Sequence, residues 1–200
     1  MTTHLRPEDT SRASAFYQYQ NSAMPMVTLT KTFDVRNLLN RHQRFNALLC
    51  WCIGKAAACF PEFMLLPEKD GFIKYDPDRL GINVIVADRI GNIVPCDLPF
   101  SEDPVQFLSS YSKITEQVIE SSVPAELGEE WMIIGTSALI QTELDSAVNA
   151  LSSWFNPFLI WGKIHGDGRL PISFQFHHAQ MDGAAAAAFL QKLQDVIDEF

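Results

Sequence analysis

The stretch Pro171-Ile-Ser-Phe-Gln-Phe-His177-His178-Ala-Gln-Met-Asp182-Gly183 constrains this chain more than any other. Ile172 to Phe176 predicts a strand. Ala184 to Glu199 predicts a helix with Phe189, Leu190, Leu193, Val196 and Ile197 on one side. Any fold of the chain must therefore carry a strand through a short loop into a helix, and that loop holds two histidines, an acid and a glycine. A scaffold can aim a side chain well from a strand end, and an imidazole there can take a proton from a hydroxyl near neutral pH. Asp182 stands where the following helix needs an N-cap. A lone His-x-x-x-Asp pattern is equally compatible with a packed structural histidine, and His177 reads more readily as packing than as chemistry.

The remaining pattern is mixed. Residues 8–22 predict a short helix capped by Thr10 or Ser11, with Phe16 and Tyr19 or Tyr17 on its buried side. Arg12 in that helix reads, taken alone, as a solvated charge. Met26 to Asp34 alternates as a strand, with Val27, Leu29, Lys31 and Phe33 against three threonines. Asp34 caps a short helix carrying Val35, Leu38 and Leu39, and Phe45 to Phe60 reads as a buried helix stopped by Pro61. Two hairpins follow. Asp70-Gly71 joins 63–66 to 72–75, and 89–92 joins Ile82–Asp88 to Ile93–Pro95. A helix opens near Pro104, and Trp131 to Leu139 reads as a strand with Ser137 at its end. A strand from Asn156 to Ile164 turns through His165-Gly-Asp-Gly into the histidine strand. That glycine turn precedes a strand, so it is a hairpin and not a phosphate cradle. This order predicts an α/β chain of the α+β, two-layer sandwich kind: a large mixed sheet covered by helices, without the strict alternation of a doubly wound fold. Residues 1–200 read as one domain.

With 24 acids against 15 bases, the net charge of −9 argues against a nucleic-acid binder but not against an anionic small ligand. Cys50, Cys52, Cys59 and Cys96 lack metal-ligand spacing, so no metal site is expected. They read as buried reduced thiols, with Cys52 and Cys59 sharing one helix face. The N-terminus lacks the apolar core of a signal peptide, and no run is long enough to span a membrane, so a cytoplasmic location is the expectation.

His177-His178-Ala-Gln-Met-Asp182-Gly183 resembles the active-site motif of the chloramphenicol acetyltransferases, and the resemblance is collinear along nearly the whole chain. Arg12-Ala-Ser-Ala-Phe16 is similar to the family's N-terminal Arg-x-x-x-Phe. Phe60-Pro-Glu-Phe, Lys69-Asp-Gly and Tyr75-Asp resemble its middle section. Thr136-Ser137-Ala138-Leu139 resembles its Ser-Ala element, and Phe155-Asn-Pro157 through Lys163 its Phe-x-Pro stretch ending in lysine. The resemblance implies an O-acetyltransferase that moves acetyl directly from acetyl-CoA to a hydroxyl in a ternary complex. His178 would be the general base and Ser137 the donor to the oxyanion. Asp182 would be structural, in a charge-assisted bond to Arg12. Lys163 and Arg44 would lie near the CoA phosphates, and the partner copies would be those of a homotrimer with sites between subunits.

The chain also departs from the family's pattern. Ile160 stands where the family has a threonine, and Gln141 where an aromatic commonly follows the Ser-Ala element. Aromatics of the antibiotic pocket are replaced near Gln18, Ile93 and Val123, while Tyr19 remains, so Tyr19 and Ile93 are the expected acceptor-side residues. Chloramphenicol or another small hydroxyl compound is the expected acceptor. One alternative is the catalytic core of a dihydrolipoyl acyltransferase, although His-His-Ala stands here where that family usually has His-Arg, and no lipoyl domain or linker is seen. The other is a non-catalytic trimeric relative that binds an acidic or aromatic ligand.

Overall fold

The computed structural model describes residues 2–41, 44–149 and 155–200. Its elements follow in order as β1 (Thr3–Leu5), α1 (Ala13–Tyr19), β2 (Met26–Asp34), α2 (Arg36–Leu39), α3 (Phe45–Ala57), β3 (Leu65–Pro67), β4 (Phe72–Lys74), β5 (Leu80–Ala87), β6 (Ile93–Pro99), α4 (Pro104–Ser121), β7 (Met132–Leu139), β8 (Phe158–Gly162), β9 (Arg169–His177) and α5 (Gly183–Asp198). The main sheet has the strand order β2-β9-β8-β7-β5-β6. Its β5–β7 and β7–β8 pairs are parallel and the others antiparallel, so the sheet is mixed as expected.

The period-2 pattern of β9 sorts its side chains. Leu170, Ile172, Phe174 and Phe176 are buried under the helices, where Phe174 packs against Phe63, Phe176 and Phe189. Burial of each such side chain contributes about 1.5–3 kcal/mol. α3 lies between α4, α5 and the sheet. It is apolar nearly all round because little of it beyond Lys55 and its first turn meets water: Leu48, Leu49, Cys52 and Ile53 are all fully buried. The alternate residues of β9, Ser173 and Gln175, point to the other face of the sheet. The row Thr30, Ser173, Ile160, Ser137 is paired across four strands, so these side chains share that face. Backbone from 147 to 149 crosses it, with Ala147 N–H donating to Ser173 Oγ at 2.9 Å and Asn149 N–H to Gln175 Oε1 at 3.2 Å.

A second, small sheet has the order β1-β4-β3. β1 was not expected, because three residues are too few to show a period. Three sequence expectations change. Residues 8–22 divide into a 3-10 turn at Pro7–Asp9 and α1, since Pro7 starts the first turn and Thr10 is extended. The strand expected from residue 63 begins only at Leu65, after a 3-10 turn at Pro61–Met64; of the two tyrosines left open for the inner side of α1, Tyr19 faces inward with Phe16 and Tyr17 is exposed. Cys59 is exposed while the other three thiols are buried, because α3 ends at Ala57 and position 59 no longer follows its inward face. No helix among the described residues is long and apolar enough to cross a membrane.

Candidate active site

β9 runs into the histidine loop, and backbone bonds set its path. His178 N–H donates to Pro25 O at 2.9 Å, beside the start of β2, and Gln180 N–H to His177 O at 2.9 Å. Arg12, from the start of α1, reaches across 166 residues of sequence to donate to His178 O at 2.8 Å, and its Nε donates to Ala179 O at 2.9 Å. Its remaining nitrogen stands 3.4 Å from Asp182 Oδ2. The arginine therefore holds the loop mainly by its carbonyls. The bond to Asp182 is longer than the 2.7–2.9 Å usual for a charge-assisted pair. Asp182 acts more firmly as the N-cap of α5, with Oδ1 accepting the Ala185 N–H at 2.9 Å. That backbone donor, aided by the Arg12 charge, lowers its pKa below the ordinary carboxylate value.

The His178 ring lies flat on Tyr19, with ring centroids 4.4 Å apart and planes 11° apart. Its Nδ1 is buried and without a partner among the described residues, so Nε2 is the nitrogen open to an incoming group. His177 points the other way and is neutral. Its Nδ1 accepts the Ala179 N–H at 3.0 Å and its ring meets Phe155 edge-on. Burial, with a smaller effect from His178, lowers its pKa to about 4.

The other expected residues lie at the opposite end of the sheet. Ser137, near the end of β7, pairs with Ile160 of β8, and its Oγ has no hydrogen-bond partner among the described residues. Lys163 follows the last residue of β8, exposed, with its backbone N–H on Thr142 O. Arg44 precedes α3 and stands 3.4 Å from Glu116, with both side chains exposed. It borders an open groove of about 500 Å³ whose wall includes Ile85, Ala87, Tyr111 and Ile140. Ile93 opens β6 opposite Ala87 and is 69% exposed.

Register measures the gap between the two groups. Ser137 is level with Ser173 of β9, two strands away, and His178, just past the end of β9, lies five residues farther along the chain. At about 3.3 Å per residue and about 4.8 Å per strand, Ser137 and His178 are roughly 15–20 Å apart within one chain. One chain thus brings together Arg12, Tyr19, His178 and Asp182 at one end, and Ser137, Ile93, Lys163 and Arg44 toward the other. Sequence reasoning did not find the neutral His177 acceptor or the contribution of Pro25. Both act through backbone groups, which leave no residue-type signal.

Comparison with known proteins places the chain by family and fold. The family model "CAT: Chloramphenicol acetyltransferase" matches residues 3–194. Chloramphenicol acetyltransferase 3 of Escherichia coli is 26% identical over 184 residues, covering 88% of this chain and 83% of the relative. A solved chloramphenicol acetyltransferase structure superposes with a TM-score of 0.82 at 19% identity, covering 98% of this chain and all of the other. A probable dihydrolipoamide acetyltransferase from Listeria monocytogenes shares the fold at a TM-score of 0.69 and 11% identity, over 95% and 92% of the two chains. By the match of nearly its whole length, this chain is an acyltransferase that belongs to the chloramphenicol acetyltransferase family.

Proposed function

We propose that the protein transfers acetyl from acetyl-CoA to a hydroxyl of chloramphenicol or a similar small acceptor. The observation that carries the reading is the clamped loop. Arg12 on two carbonyls and Tyr19 beneath the ring hold one imidazole with its Nε2 free. His178 Nε2 takes the acceptor's proton as that oxygen attacks the thioester carbonyl. Ser137 Oγ–H donates to the oxyanion that forms. The intermediate collapses with cleavage of the C–S bond, and the CoA thiolate leaves with the proton held on His178, so the base is regenerated without an acyl-enzyme. Lys163 and Arg44 offer positive charge to the CoA phosphates. Tyr19 and Ile93 offer apolar surface to the acceptor.

The separation of Ser137 from His178 supports a homotrimer whose site is shared, with the histidine of one subunit meeting the serine end of its neighbour. The deciding experiment is CoA release from acetyl-CoA across a panel of hydroxyl acceptors that includes chloramphenicol, with dihydrolipoamide as a thiol comparator. Release that needs an alcohol and vanishes in His178→Ala is expected. No release with any alcohol from folded protein sinks the reading, and release with dihydrolipoamide alone moves the function to the dihydrolipoyl class.

A further inference from the structure

A cavity of about 760 Å³ lies outside both groups of site residues, between the small sheet, the end of α3 and the segment around Phe100. Its size falls within the range of sites that enclose small molecules. Met64, Tyr75 and Leu80, all buried, form its floor, and half-buried Leu5, Phe60, Leu65 and Phe100 form its walls. It sits behind the histidine loop, since Leu65 also packs on the cluster of Phe16, Phe72 and Ala179.

The rim is acidic. Asp9, Asp78 and Glu102 stand there against Lys74. Asp9 is paired with Arg6 and Glu102 with Lys55. Asp78 and Lys74 have no ion-pair partner among the described residues. Burial, with smaller effects from the Glu68 and Glu129 carboxylates, raises the pKa of Tyr75 in the floor. Cys59 lies on the rim and is the exposed thiol of the four.

We propose that this cavity is a second small-molecule site, separate from acetyl transfer, which takes an amphipathic organic cation: its ring or chain packs on Leu5, Phe60, Leu65 and Phe100 and its ammonium group faces Asp78. The apolar walls supply burial, and the rim's three carboxylates, against the one lysine Lys74, set the sign of charge.

The test uses the full chain without acetyl-CoA. 2-(2-Naphthyl)ethylammonium is the probe and 2-naphthylacetate its anionic comparator, neither carrying a hydroxyl. Alkylation of Cys59 is the readout. At four times its Kd the amine should slow alkylation about fivefold and saturably. The carboxylate should protect more weakly at equal concentration. Asp78→Asn should weaken the amine about two- to fivefold, as expected for an exposed ion pair, and Ala58→Trp should abolish protection by filling the space. His178→Ala should leave protection intact. Equal protection by amine and carboxylate, absence of saturable protection, indifference to both Asp78→Asn and Ala58→Trp, or loss in His178→Ala each overturns the assignment. Acetyl transfer is read separately by CoA release, so failure of one reading leaves the other standing.

Discussion

The two ends of the main sheet prepare their residues in different ways. The histidine end is braced. Arg12 spends its donors on a single loop, Tyr19 covers the ring, and Asp182 joins the loop to α5. The serine end is open. Ser137 Oγ has no partner among the described residues, Lys163 and Ile93 are exposed, and Arg44 has one long surface contact. Hydrophobic side chains stand in water there too: Leu139 is 49% and Ile140 53% exposed. A braced loop is complete within its own chain, whereas an open end with apolar surface is finished by something else. The difference sets a loop braced by its own chain against an end whose residues stand exposed, as the proposed shared site requires.

The largest expected effect breaks this comparison directly. His178→Ala should lower kcat about 100- to 10,000-fold. Mixed and reassembled with Ser137→Ala at equal amounts, it should recover about a quarter of the wild-type activity per site, because that share of random interfaces pairs an intact histidine with an intact serine. Absence of recovery in mixed oligomers would return both groups to one chain.

Ser137→Ala alone should lower kcat about 100- to 1,000-fold. Its thermal unfolding should be unchanged, because the hydroxyl holds no neighbour in place. A matching fall in Tm would make the serine structural.

Arg12→Ala tests the bracing. It removes the hydrogen bonds of a charged donor to two carbonyls, each worth about 1.5–3 kcal/mol, so both Tm and kcat should fall. Arg12→Lys should not restore them, since an ammonium cannot fork across His178 O and Ala179 O. Full rescue by lysine would reduce the clamp to a simple charge.

His177 should make stability depend on pH. Its folded pKa of about 4 lies below the ordinary histidine value of 6.5, so the unfolded chain binds the extra proton first. This contribution is complete above about pH 6.5 and is lost as pH falls towards 4. A protonated ring also cannot accept the Ala179 N–H. Denaturant unfolding of His177→Asn should be flatter across that window than wild type, and identical slopes would remove His177 from the account.

Asp182→Ala should cost about 1 kcal/mol of stability through the lost cap, and Asp182→Asn only a few tenths. A large loss in the asparagine variant would instead give weight to the Arg12 ion pair. The Asp182 contribution, with its lowered folded pKa, is present above the ordinary carboxylate range and fades as pH drops through that lower value, a window more acidic than that of His177.

Much of this was legible before any coordinates. The alternation of Met26 to Asp34 matched β2 residue for residue. The glycine turn before Arg169 joined antiparallel strands, with Gly168 at φ +80° where a left-handed residue is needed. Asp182 capped its helix as its residue type suggested. Cys59 was misjudged because helix ends are poorly marked: Ala56 to Cys59 carries no breaker before Pro61. The preference of Arg12 for carbonyls over Asp182 was invisible, since a backbone oxygen is present at every position and marks none.

By itself, the sequence determined the elements of this protein, the residue types of its transfer chemistry and the family motif that joins them, because periodicity, capping and side-chain chemistry are local properties. Only the tertiary structure decided which of those residues meet. Strand order and register are set by packing between distant segments, and they brought Arg12 to His178 across 166 residues while keeping Ser137, only 41 positions from His178, two strands away and near the other end of the sheet.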